Sequence, residues 1–194
     1  QKILGGIKSF KIGKSTVNYT DLTIQNILLT GINVEFNPSY YIAVTAGKID
    51  YRFRDFFNKG ARSNGQYVVM GRIGVGNKDK KALIFSIFKG RKNQSEYAIS
   101  DSIVNHVDIV GYSLEALYKK DEYNFLSFEI AKSTMPVTGN LTKNKEINRL
   151  WQFKDNSNMG INVKGQTRIA QTQTTIGGFY RKTGEDFQSF SMFC

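Results

Sequence analysis

The stretch Met159–Ile169, MGINVKGQTRI, alternates apolar and polar side chains along its length. Met159, Ile161 and Val163 fall in one set, whereas Asn162 and Lys164 fall in the other. Because successive side chains of an extended strand point to opposite faces, this stretch is predicted to be a strand with one apolar face. No comparably long stretch has a 3.6-residue period, and the single helical candidate, NKEINRLW at 144–151, is short.

A second alternating stretch, GKIDYRFRDFF at 47–57, carries charges on every even position up to 54. Its apolar residues up to position 54 are odd-numbered, whereas those of the preceding YYIAV are even-numbered at 40, 42 and 44. This change of parity predicts a β-bulge near Ala46–Gly47, since glycine suits a bulge. The interpretation assigns Ile49, Tyr51 and Phe53 to one face and Lys48, Asp50, Arg52 and Arg54 to the other.

Similar alternation over about ten residues recurs along the chain and predicts about nine or ten strands. The turn signals NPS at 37–39, NKDK at 77–80, KKDE at 119–122 and KDNS at 154–157 separate these strands, with longer polar connections between the hairpins. The predicted fold is therefore an all-β, antiparallel up-and-down meander that forms part or all of a transmembrane β-barrel. The alternation of short and long connections fails only after Arg168, where IAQTQ is short.

Composition limits the functions that this chain serves. The 194 residues are predicted to form one β-barrel unit, 1–194, with a net charge of +11 that favours anionic partners. The basic residues are scattered over turns, so no nucleic-acid partner is expected. Cys194 is the only cysteine and His106 the only histidine, which leaves no disulfide framework, no zinc site and no expected cofactor.

Two motifs suggest chemistry, and both have simpler interpretations. KIGKST at 11–16 lacks the first glycine of a phosphate-binding loop, because Lys8 occupies that position. Glu115 and Glu129 are predicted to share a face of adjacent strands, which is the arrangement of an acid/base pair. Carboxylates in a sheet this rich in cations are more often paired with Lys or Arg, so we do not expect an enzyme.

The charged strand faces allow two interpretations. In a membrane barrel they line the lumen, apolar residues such as Ile161 and Val163 face lipid, and a cationic lumen predicts anion preference in any channel. In the alternative, a soluble β-sandwich or barrel, they are the solvated face, and basic loops bind an anionic ligand or glycan. The candidate lumen-facing residues are Lys48, Asp50, Arg52, Arg54, Arg72, Glu115, Glu129, Lys164 and Arg168. The candidate interfacial aromatics are Tyr40, Tyr41, Phe53, Phe57, Tyr67, Tyr118, Tyr123 and Trp151.

Three stretches resemble segments of large, poorly characterised outer-membrane β-barrel proteins of Gram-negative, Bacteroidetes-type bacteria: GINVEFNPSYYIAVTAGKIDYRFRDF, VMGRIGVGNKDKKALIFSIFKGRKN and INVKGQTRIAQTQTTIGGFYRKTGEDFQSFS. The resemblance implies an outer-membrane location and contact with lipid or lipopolysaccharide. It further implies that the chain is an excerpt of a longer barrel whose partners include other outer-membrane or periplasmic proteins. It implies no catalytic residue.

Overall fold

The computed structural model describes residues 6–49, 66–94, 105–134, 150–152 and 154–190. Within these ranges the chain forms one nine-stranded sheet in which every strand pairs with its neighbours in sequence. The strands are β1 (Ile7–Val17), β2 (Ile27–Phe36), β3 (Tyr40–Ile49), β4 (Tyr67–Asn77), β5 (Lys81–Gln94), β6 (Asn105–Lys119), β7 (Phe125–Ser133), β8 (Met159–Ile169) and β9 (Thr174–Thr183).

All eight strand pairs are antiparallel. The predicted all-β, up-and-down fold is therefore confirmed. The sheet is not closed: β1 and β9 are its two edges. Within the described parts of the chain, no helix is long and apolar enough to cross a membrane.

Short and long connections alternate regularly along the sheet. The turns at 37–39, 78–80, 120–124 and 170–173 lie at one end, here called the short-turn rim, and the longer connections lie at the opposite long-loop rim. The expectation that KDNS at 154–157 closes a hairpin is wrong, because β7 pairs directly with β8 and these residues belong to the long connection between them. That correction removes the irregularity expected after Arg168, since 170–173 falls at the short-turn rim where a turn is due.

The predicted bulge at Ala46–Gly47 is also wrong. Strand β3 keeps an unbroken register with both neighbours, including Lys48 opposite Tyr67 and Ile49 opposite Leu29. Odd positions of β3 therefore face inward throughout, so Ile49 is 4% exposed in the core while Lys48 is exposed on the outer face. The sequence predicts the reverse faces for Ile49 and Lys48 because apolar residues occur on both sides of this strand.

Glycines occupy one inward-facing row across the first three strands. Gly13 lies opposite Gly31, and Gly31 lies opposite Gly47. A Cβ atom at Gly31 would lie 2.1 Å from the carbonyl oxygen of Ala46, closer than any side chain tolerates. Gly31 and Gly47 let β2 and β3 approach closely as the sheet curves, which is the use of glycine at a barrel corner.

Two segments from the long-loop rim fold against the inner face of the sheet. The plug segment, residues 18–26, connects β1 to β2, and residues 184–190 follow β9. The two are joined where the backbone N–H of Phe190 donates to the carbonyl of Thr23 at 2.9 Å. They bury an apolar core at this end, which consists of Val17, Ile24, Ile27, Leu29, Ile49, Val68, Met70, Phe88, Ile109 and Phe190.

Candidate functional site: a polar interior and an apolar exterior

The outer face of the sheet carries large apolar side chains that nothing in the described chain covers. Ile12 is 69% exposed, Ile73 is 60% exposed and Val75 is 66% exposed. Along β4, exposed residues alternate with buried or half-buried ones, so the exposure belongs to one face and not to frayed ends. Other members of this face are Phe10, Ile32, Tyr40, Ile42, Val44, Val69, Leu83, Phe85, Ile87, Leu114, Leu126 and Phe128.

The strand register aligns these side chains into a continuous apolar band. Along β4 the band lies between a charged row at Tyr67, which has Lys48 and Arg91 as its cross-strand neighbours, and a polar row at Asn77, which has Lys81 as its neighbour. Ten residues of strand separate the two rows, or about 34 Å at roughly 3.4 Å per residue. With the tilt of about 40° that barrel strands adopt, the height of the band is about 26 Å, and the apolar band of membrane barrels is about 25 Å tall.

The inner face is polar in its middle and centres on Arg72. Arg72 is 1% exposed, and the Nη2 of its guanidinium donates to Glu115 Oε2 at 2.5 Å. Its Nε donates to Ser86 Oγ at 3.1 Å and its Nη1 to the hydroxyl of Tyr41 at 3.3 Å. The ring of Tyr19 lies 4.5 Å from the guanidinium carbon. A buried charge needs such partners, because an unpaired ion in the interior costs several kcal/mol.

Glu129 fastens the plug segment to the sheet. The hydroxyl of Thr20 donates to Glu129 Oε1 at 2.5 Å, and the backbone N–H of Leu22 donates to Oε2 at 3.2 Å. On the other side of the interior, the hydroxyl of Tyr19 bonds to Asn33 Oδ1 at 2.7 Å. The plug segment therefore spans the interior from β2 to β7.

Asp21 extends these contacts to the last two strands. Its carboxylate forms an ion pair with Lys164 and accepts from Asn162 Nδ2 at 3.3 Å. Its backbone carbonyl accepts from Arg181 Nη2 at 3.1 Å. One short segment thus bonds strands at both ends of the sheet, which holds the sheet curved around it.

A cavity of about 510 Å³ opens toward the short-turn rim above this network. Its walls include Glu35, which is ion-paired with Lys78 at 3.0 Å, and Asp79, which is ion-paired with Lys8 at 2.6 Å. The hydrogen bond from Lys8 holds the pKa of Asp79 below its usual value. The described cations of this region are thus largely balanced by carboxylates, so the interior holds less net positive charge than the sequence predicts.

The structure brings together three of the nine candidate lumen residues. Arg72 bonds Glu115, and Glu115 lies directly opposite Glu129 in the β6–β7 register, as predicted. Lys164 is half-buried against Asp21, and Arg168 lies 4.7 Å from the centre of the Tyr123 ring.

The remaining candidates lie elsewhere. Lys48 points to the outer face, as described above, so its assignment to the inner face is wrong. Asp50, Arg52 and Arg54 lie outside the described residues, as do Tyr51, Phe53 and Phe57. Ile161 and Val163, which are predicted to face lipid, lie on the outer face of β8 and are half-buried, whereas Asn162 lies on the inner face.

Among the candidate interfacial aromatics, Tyr41 is wrongly assigned, because it is fully buried and bonded to Arg72. The others within the described residues are exposed: Tyr40, Tyr67, Tyr118, Tyr123 and Trp151.

Sequence reasoning did not identify the plug segment. The one available signal was that Leu22 and Ile24 are apolar residues in a connection that otherwise looks like a polar loop. Both are fully buried in the structure. Within the described residues, no cluster of three His, Cys, Asp or Glu side chains is arranged to hold a metal ion.

Comparison with family models, curated proteins and solved structures gives no match for this chain. The distribution of polar and apolar side chains is thus the observation that bears most directly on function.

Proposed function

We propose that this chain forms part of an outer-membrane β-barrel protein of a Gram-negative, Bacteroidetes-type bacterium. Its strands cross the lipid, and the polar network around Arg72 lies inside the barrel. The observation that carries the proposal is the reversed polarity of the sheet: the outer face is apolar and exposed, while Arg72, Glu115 and Glu129 are buried on the inner face. In a soluble sandwich the opposite arrangement is expected.

The size of the apolar band supports this assignment over a soluble module. Soluble monomers rarely expose contiguous apolar patches larger than a few hundred Å², because such patches drive association. Here the exposed apolar face continues from Phe10 on β1 to Phe128 on β7. Its height of about 26 Å also suits the hydrocarbon layer of a membrane.

The interior supports a structural or transport-type role and not an enzymatic one. Glu115 and Glu129, the one candidate acid/base pair, are both engaged: Glu115 by Arg72 and Glu129 by Thr20 and Leu22. The plug segment fills the long-loop end of the interior with apolar side chains. In this part of the barrel the plug segment therefore obstructs the interior at the long-loop rim, and passage of any cargo there requires the plug segment to move.

The test is membrane fractionation of the whole protein, followed by gel mobility with and without boiling in detergent. A protein that remains in the outer-membrane fraction and migrates faster when unboiled supports the proposal, because closed barrels resist unfolding by detergent. A protein that stays soluble without detergent and shows no heat-dependent shift contradicts it. In that case the cavity beside Glu35 and Asp79 becomes the site at which to screen anionic ligands and glycans.

A further inference from the structure

Three cations meet on the outer face where the apolar band ends at the long-loop rim. Lys48 and Arg91 are the two cross-strand neighbours of Tyr67, and Lys89 precedes Arg91 by two positions on the same face of β5. Strands lie about 4.8 Å apart, so the backbones at Lys48 and Arg91 are about 10 Å apart, and Lys89 is about 7 Å along the strand from Arg91. We call Lys48, Tyr67, Lys89 and Arg91 the rim patch.

The patch has a net positive charge that nothing in the described chain balances. Arg91 forms a bidentate pair with Asp108, from Nε to Oδ1 at 2.7 Å and from Nη2 to Oδ2 at 3.3 Å. Lys48 and Lys89 are exposed, and neither has a carboxylate partner among the described residues. Counting Asp108, the four charged side chains leave a net charge of +2.

The surroundings of the patch distinguish it from other surface lysines. Tyr67 lies between its cations, with the guanidinium carbon of Arg91 6.0 Å from the ring centre. Directly next to it on the same face lies apolar Val69, which is 49% exposed and begins the band. Aromatic rings and long basic side chains are the groups that occupy the boundary between hydrocarbon and headgroups, because their stems are apolar and their ends are polar.

We propose that the rim patch binds the phosphate of an anionic membrane lipid whose acyl chains lie along the band. This inference rests on the proposed function and adds the partner. Lysines on flexible stems at this spacing reach a single phosphate from two sides, while Tyr67 and Val69 contact the adjoining acyl region. The arrangement favours a lipid over free phosphate, since the cations adjoin a surface that only an acyl chain covers.

The experiment compares lipid selection by the whole protein in vesicles of phosphatidylcholine with and without phosphatidylglycerol. The association constant of phosphatidylglycerol relative to phosphatidylcholine is measured by mass spectrometry of the protein–lipid complexes. The test variant is Lys48→Gln/Lys89→Gln, which leaves the Arg91–Asp108 pair intact. The control is Lys80→Gln/Lys120→Gln, which removes two exposed lysines from turns at the opposite rim.

Each basic residue near an anionic surface contributes roughly fivefold to association, so the test variant is expected to lose about 25-fold in relative affinity. The control is expected to keep the affinity of the original protein. An unchanged affinity in the test variant, or an equal loss in both variants, overturns the proposal, because general charge attraction then accounts for binding. Displacement of the lipid by inorganic phosphate at equal concentration overturns the assignment to a lipid.

Failure of the proposed function gives a different result. A protein that enters neither kind of vesicle is not a membrane barrel, and the rim patch then has no lipid to bind. A protein that inserts into phosphatidylcholine but shows no preference for phosphatidylglycerol retains the barrel and overturns only the lipid site.

Discussion

A lysine placed in the middle of the apolar band distinguishes a lipid-facing surface from one that faces water. Ile73 lies on the outer face of β4, between the polar rows at Tyr67 and Asn77, and is 60% exposed. If this face contacts lipid, Ile73→Lys is expected to lower the free energy of unfolding by about 2–4 kcal/mol, the cost of a basic residue near the bilayer midplane. If it contacts water, the same change at a well-exposed position costs less than about 0.5 kcal/mol.

The assay is urea unfolding of the whole protein refolded in phosphatidylcholine vesicles, followed by tryptophan fluorescence and by the fraction that migrates fast on unboiled gels. The matched control is Tyr67→Lys on the same face of the same strand, at the edge of the band. Its expected cost is only about 0–1 kcal/mol, because a lysine at the interface reaches the headgroups. A loss below about 0.5 kcal/mol for Ile73→Lys, or equal losses for the two variants, would refute the lipid-facing assignment.

Three further predictions concern the interior and the short-turn rim. Arg72→Met should lower the free energy of unfolding in urea by about 3–5 kcal/mol, because it leaves Glu115 buried without its partner. The double variant Arg72→Met/Glu115→Gln should recover much of that loss. A double variant no more stable than the single one would show that the pair is not coupled. Replacing residues 20–24 of the plug segment by a Gly/Ser linker should give a steady conductance in planar bilayers that the original protein lacks. A variant that shows no more conductance than the original would show that other residues close the interior. Because Lys8 lowers the pKa of Asp79 in the folded state, this pair stabilises the fold above about pH 4, and the stabilisation is lost as pH falls through the lowered pKa. Asp79→Asn should therefore flatten the loss of stability between about pH 5 and pH 3. A stability profile identical to that of the original protein would contradict this assignment.

The strands were predictable because their information is local. Alternation in β8 depends only on successive side chains, and the turns between β2 and β3 and between β4 and β5 contain the residues that such turns require. The Glu115–Glu129 pair was predictable for the same reason, since a short hairpin turn fixes the register of its two strands. The identity of the partners, Arg72 on β4 and Thr20 in the plug segment, depends on contacts between parts of the chain that are far apart in sequence.

The errors on β3 follow from one assumption about strand faces. Assigning a strand face by its polarity assumes that one face is apolar and the other polar, but here the plug segment creates a second apolar surface inside the sheet. Ile49 belongs to that inner core, so its apolar character said nothing about lipid. Lys48 lies outside because the outer face becomes charged where the band ends. Tyr41 was misplaced similarly, since a tyrosine beside a turn serves equally well as an interior hydrogen-bond partner for Arg72.

The odd number of strands in this sheet constrains any closed form that contains it. In an all-antiparallel meander, direction reverses at each strand, so β1 and β9 run the same way. Direct pairing of these two edges would therefore be parallel. Antiparallel closure instead requires an odd number of additional strands between β9 and β1, which gives an even total of at least about ten. The two edge strands are therefore not partners of each other. Each requires an antiparallel neighbour, which is a strand that runs opposite to both β1 and β9.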